Sequence, residues 1–149
     1  MSFAQPSLKG RALRLLSGRE HSRAELVRKL AGFEEEPGTL ARVLDELQAK
    51  GFIDEQRVIE SVLHRRAAKL GLARLRQELQ GKGLDPQAVT QALAGLQGSE
   101  RERALAVWRK KFGAPPLDAP AAARQMRFLA SRGFDADTIR RIVAHPSTP

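Results

Sequence analysis

The chain has 149 residues, 42% hydrophobic and 29% charged, and 26 Lys plus Arg against 17 Asp plus Glu leave a formal net charge of +9. That composition suits one folded domain or a short series of modules and excludes an extended polyelectrolyte. Without cysteine there can be no disulfide, thiolate metal site or thiol nucleophile. Lys9, Arg11 and Arg14 interrupt the only apolar stretch near the N-terminus, so no signal peptide is expected there, and no segment approaches a membrane span. The expectation is a cytoplasmic protein with a polyanionic or acidic partner.

Ala, Leu, Arg, Gln and Glu dominate while Tyr is absent, which favours helices. In chain order, the first three helices should begin near Ser7, Ser22 and Thr39, with Ser22-x-x-Glu25 as a capping box. Glu34-Glu35-Glu36 before Pro37 reads as a solvated loop ahead of a helix N-terminus rather than a cation site. The next three should begin near Asp54, Leu72 and Asp85; Asp85-Pro86 is a strong start, since Asp accepts unpaired N–H groups and Pro fits the first helical position. The last three should begin near Ser99, Ala119 and Asp135, with Ser99-x-x-Glu102 as a second capping box. Residues 113–118 form a Pro-rich loop and 146–149 a frayed tail. Apolar stripes such as Leu72, Leu75, Leu79 and Leu105, Trp108, Phe112 keep helical spacing, which places Trp108 in a core rather than on a nucleobase.

A Gly-apolar-acid motif recurs as Gly32-Phe33-Glu34, Gly83-Leu84-Asp85 and Gly133-Phe134-Asp135, the glycines 51 and 50 residues apart. Gly should end one helix in the left-handed conformation, the acid should cap the next, and the apolar residue should tuck into the core. The fold expected is therefore all-α: three tandem three-helix repeats over 7–53, 54–97 and 98–145, forming an elongated array free to curve. One such unit buries too little surface to be stable alone, so the three should depend on their neighbours.

His21, His64 and His145 lie far apart without ligand spacing, so they read as surface or boundary residues; no metal or cofactor is expected, and no nucleophile motif is present. Ser17, Ser22 and Ser99 stand where helix caps belong. The basic residues are the candidate site. The charge excess grows toward the C-terminus: 9 basic against 7 acidic residues over 7–53, 7 against 5 over 54–97, and 10 against 5 from residue 98 onward. Arg57, Ser61, Arg65 and Lys69 are four apart, which places the cations on one exposed helical face with Arg66 beside them. Arg74 and Arg76 follow on the next helix, and Arg109, Lys110, Arg124 and Arg127 on the last unit, where Lys111, Arg132, Arg140 and Arg141 add to the charge. Local pairing of Arg57 and Arg65 with Glu60 or Glu78 is the plainer alternative.

The run Arg19-Glu20-His21-Ser22-Arg23-x-Glu25-Leu26 resembles the R-E-H-S-R-x-E-L opening of the RecX family. Val43-Leu44-x-x-Leu47-x-x-x-Gly51-Phe52-Ile53-Asp54-Glu55-x-Arg57 resembles that family's V-L-x-x-L-x-x-x-G-x-L-D-D-x-R segment, and Arg65, Lys69, Gly71, Arg74, Leu75, Glu78, Leu79, Lys82 and Gly83 match the run that follows. The likeness covers residues 8–145. It departs at Val58, where the family usually has an aromatic residue, and at Ile53-Asp54-Glu55 in place of Leu-Asp-Asp. The resemblance implies a non-enzymatic monomer that docks on the RecA–DNA filament and inhibits RecA's ATP hydrolysis and strand exchange, with weak non-specific DNA binding. Two other classes stand beside it. A helix-turn-helix DNA-binding protein would read bases through residues such as Gln87, Thr90 and Gln91, and a nuclease would need an ordered acidic cluster that the sequence does not offer.

Overall fold

The computed structural model describes residues 5–145, so the expected tail at 146–149 lies outside it. Among the described residues there are nine α-helices and no strand: α1 Leu8–Gly18, α2 Arg23–Leu30, α3 Thr39–Ala49, α4 Glu55–Arg66, α5 Leu72–Gly81, α6 Pro86–Ala94, α7 Glu100–Lys111, α8 Ala119–Ser131 and α9 Ala136–Ala144. Local chemistry sets most of the starts. Ser7 accepts from the Gly10 N–H, Asp54 from Arg57, Asp85 from Ala88, Asp118 from Ala121, and Asp135 from Asp137 and Thr138. Ser22 and Glu25 form the reciprocal capping box.

Three expectations are corrected. Ser99 has helical backbone angles and makes no cap; its hydroxyl donates to the Leu96 carbonyl and accepts from Arg103 Nε, while a 3₁₀ turn over Gln97–Ser99 leads into α7. Ser17 lies inside α1 and donates to the Arg14 carbonyl. In the first Gly-apolar-acid copy, Gly32 sits in a 3₁₀ turn rather than at positive φ, and Phe33 is 49% exposed, its ring under the Arg11 guanidinium at 3.8 Å. Leu40 follows Gly32 by two residues more than Val89 follows Gly83, which alters this turn, and Glu34 reaches forward to accept the Leu40 N–H of α3. The other two copies behave as expected: Gly83 and Gly133 have φ of +71° and +87°, and Leu84 and Phe134 are buried.

Each trio of helices closes on its own apolar cluster. Leu26, Leu44 and Leu47 centre the first, Ile59, Leu75 and Leu79 the second, and Trp108, Leu129 and Ile142 the third. Trp108 is buried, and its indole N–H donates to Gln125 Oε1 at 2.8 Å. Val58 is buried in the second cluster.

What joins the bundles is polar and repeats. At the first joint α2 meets the turn that ends α5: the N-cap Ser22 Oγ donates to the Lys82 carbonyl at 2.6 Å, and Arg28 Nη2, from the last turn of α2, to the Gly81 carbonyl at 3.1 Å. At the second, the N-terminus of α5 meets the turn that ends α8: the Gly71 and Ala73 N–H groups donate to the Arg132 and Gly133 carbonyls at 2.8 and 3.3 Å, and Arg74 Nη1 to the Ser131 carbonyl at 3.1 Å. Carbonyls left unpaired at the end of one helix are thus satisfied by another, through side-chain donors at the first joint and mainly through backbone N–H groups at the second.

The second joint is the tighter. A Cβ on Gly71 would lie 2.3 Å from the Gly133 carbonyl oxygen, although Gly71 itself has an ordinary φ of −80°. Gly71→Ala is therefore expected to cost about 2–3 kcal/mol or more by overpacking alone. Gly51, with φ of +83° and open space around its Cβ position, should lose only about 1 kcal/mol on change to Ala. Urea unfolding of the two variants measures the difference, and equal midpoints would show that the joint contributes no stability.

Candidate functional site

Helix α4 ends at Arg66, so the basic row expected through Lys69 does not lie on one helical face. The cause is Arg103 of α7, whose guanidinium donates to the carbonyls of Ala67 and Leu70 and holds the chain in a turn there. Burial pulls the Arg103 guanidinium below its ordinary value, and the charge of Glu100 opposes that pull. Lys69 is carried across to the second joint, while Arg65 and Arg66 stay near the first.

A cleft with basic residues from this set opens beside each joint; another at the second joint, about 570 Å³, is lined by Glu100 and Asp135 and by none of the candidate cations. The first, about 440 Å³, brings Arg65 and Arg66 together with Arg28 and Lys82, and with the carboxylates of Glu25 and Glu78. The second, about 610 Å³, is rimmed by Lys69, Lys110, Lys111 and Arg132 around a floor of alanines, Val107 and Phe128, with no carboxylate in its lining.

Several of the candidate cations are already engaged. Arg66 grips Glu78 with two bonds, at 2.6 and 3.1 Å, and that bond raises its affinity for its proton further. Arg57 bonds Glu20 at 2.9 Å and the Gly51 carbonyl at 2.6 Å, which ties α4 to the loop before α2. Local pairing, the plainer alternative, holds for Arg57, through Glu20 and Asp54 rather than Glu60, and not for Arg65, since Glu78 pairs Arg66. Arg74 lies 4.0 Å from Glu78 and supports the second joint, and Arg76 donates to Thr90 Oγ1 at 3.2 Å. Arg65, Lys69, Arg109, Lys110, Arg124 and Arg127 are exposed and, among the described residues, make no ion pair. Of these, Arg109, Arg124 and Arg127 line neither cleft. Phe128, missed in the sequence reading, belongs to the second cleft; its place after Lys110-Lys111 on another helix leaves no local signal.

His21 is buried, not a surface or boundary residue. Lysine has no acceptor, so Lys29 Nζ must donate to His21 Nε2 at 3.2 Å, and Nδ1–H then donates to the Arg19 carbonyl at 3.0 Å. Burial lowers the imidazole pKa, aided by the charges of Arg19 and Lys29 and opposed by the Arg19 carbonyl. Among the described residues no three His, Asp or Glu are placed to hold a metal ion, and no helix is long and apolar enough to cross a membrane.

Glu25 is the buried anion of the first joint. It accepts from the Ser22 N–H, Arg19 Nη2 at 2.9 Å and Lys82 Nζ at 3.2 Å. Burial pushes its pKa up, yet these three partners together outweigh burial and hold it at about 2.

Family models for the first, second and third three-helix domains of RecX match residues 9–47, 54–93 and 99–143. A Regulatory protein RecX from Leptothrix cholodnii is 55% identical over 93% of this chain and 88% of its own length, and one from Herbaspirillum seropedicae is 48% identical over 90% and 87%. Among solved structures, RecX from Lactobacillus salivarius superposes with a TM-score of 0.73 at 19% identity, covering 92% of both chains.

The Glu25 carboxylate gives the first joint a pH signature. Its folded pKa lies below the ordinary 4.5, so the stability it contributes is present above pH 4.5 and is lost as pH falls toward about 2. Glu25→Gln is expected to lower stability by about 3 kcal/mol at pH 7 and to flatten that acid limb. Urea midpoints of both proteins between pH 2 and 7 check this; parallel curves would count against the assignment.

Proposed function

The chain belongs to the RecX family, and from that membership we propose that it is a negative regulator of the RecA recombinase, binding the RecA–DNA filament and inhibiting its ATP hydrolysis and strand exchange. The observation that carries the reading is the set of exposed cations on the second and third bundles, Arg65, Lys69, Arg109, Lys110, Arg124 and Arg127, that no carboxylate among the described residues pairs. A folded protein with such a surface lowers its self-repulsion by meeting an acidic or polyanionic partner. A nucleoprotein filament is one.

On this reading the protein works by binding and not by catalysis, as a cytoplasmic monomer, and its basic surface gives weak, salt-sensitive, non-specific contact with DNA. Sequence-specific readout by α6 has less support. Gln87 and Gln91 are exposed there, but Thr90 is engaged by Arg76, which leaves few side chains for base edges.

RecA ATP hydrolysis on single-stranded DNA is the test. Equimolar protein is expected to slow it, and an unchanged rate with the cognate recombinase would refute the proposal. Reversing Arg65 and Lys69 to Glu should keep helicity and melting near the parent, since both are exposed and make no ion pair among the described residues, and should weaken inhibition about tenfold at low salt. If the double variant inhibits like the parent across a salt series, these two residues are not part of the contact.

A further inference from the structure

We propose that the cleft at the second joint is a docking site for an acidic protein segment that carries one bulky apolar side chain. The two joints are built alike, and each opens a basic cleft beside it, but their charge differs in kind. In the first cleft Glu25 and Glu78 stand among the four cations, and Arg66 and Lys82 are paired to them. The second holds Lys69, Lys110, Lys111 and Arg132 with no carboxylate, and none of the four forms an ion pair among the described residues. Four like charges around one concavity repel, and a ligand with carboxylates relieves that repulsion.

The floor decides the rest. Val107 and Phe128 are half-buried and, with two alanines, offer an apolar surface inside the basic rim. About 610 Å³ has room for a bulky side chain between flanking carboxylates. The parts are also preset. Phe128 packs edge-on against Phe112 with centroids 5.5 Å apart, and Lys111 and Arg132 lie 5.3 and 5.0 Å from its centroid. Rim and floor are thus fixed before anything binds, which lowers the ordering cost.

Single-stranded nucleic acid fits less well. Stacking of successive bases needs a series of aromatic faces, whereas Phe128 is the one ring in the lining and the remaining floor is aliphatic. The inference rests on the regulatory reading only in taking the occupant to be protein, and it is tested without RecA.

The probe is a fluorescein-labelled heptapeptide with one phenylalanine between three acidic residues on each side, titrated with the full chain by anisotropy. Saturable binding is expected, at least tenfold weaker when the peptide phenylalanine becomes alanine, and at least tenfold weaker to the protein carrying Lys110→Glu and Lys111→Glu. Both lysines are exposed, and the altered peptide leaves the protein untouched, so a folding defect cannot imitate both losses. No binding at millimolar peptide, equal binding of the alanine peptide, or tighter binding of a thymidine heptanucleotide that the same lysine changes abolish would each overturn the proposal. Peptide failure with RecA inhibition intact removes the cleft alone; RecA inhibition failing with peptide binding intact removes the regulatory reading alone.

Discussion

The structure turns on the unpaired carbonyls at the ends of α5 and α8. A helix that stops at a left-handed glycine leaves acceptors facing outward, and burying them without donors would cost about 1–3 kcal/mol each. Here the donors come from a helix one bundle earlier: Ser22 at the start of α2 and Arg28 in its last turn for α5, and Gly71, Ala73 and Arg74 at the start of α5 for α8. Each bundle has its own apolar cluster, and each is small by the standard of a domain stable alone. Hydrogen bonds at the joints therefore set how one bundle sits on the next, and apolar packing sets what lies within each.

Placing polar joints between apolar cores also places the charge. Helix N-termini and C-terminal turns are where capping residues and long basic side chains gather, so the clefts beside the joints collect them. At the first joint most of the cations are spent on structure: Arg19 and Lys82 hold Glu25, Arg66 holds Glu78, and Arg57 holds Glu20. At the second the structural bonds are mainly backbone to backbone, made through glycine, with Arg74 the one side-chain donor named, and the nearby lysines are left for other uses. A switch from side-chain to main-chain donors at one joint thus changes the electrostatics of the cleft beside it.

Much of this architecture can be read from residues alone because helix starts are local chemistry. Asp54, Asp85 and Asp135 each cap within three residues, and the expected positions agree with the observed helices. The glycines of the second and third repeats declared their left-handed turns in the same way. What escaped depends on distant partners. Ser99 looked like a cap, but Arg103 and the preceding 3₁₀ turn claim it. The row from Arg57 to Lys69 kept helical spacing, yet Arg103, more than thirty residues on, ends the helix before Lys69. His21 carried no mark of burial, since nothing in its spacing reveals that Lys29 and the Arg19 carbonyl enclose it. The second cleft draws its residues from three separate segments, which no single window contains.

The joint is heterologous: the face that gives differs from the face that receives, so the same step could in principle be taken again and again into a fibre. The two outer ends lack the parts for another step. Where Ser22 offers a hydroxyl and Gly71 an N–H, α8 begins with Asp118, whose carboxylate already accepts the Ala121 N–H and would meet an incoming carbonyl as acceptor against acceptor. At the opposite end, Gly32 lies in a 3₁₀ turn without the positive φ that shapes the receiving surface, and the Arg11 guanidinium covers Phe33. In the language of polymer chemistry, the chain is a trimer with a stopper at each end: its units share one coupling reaction, and its termini are unreactive toward it.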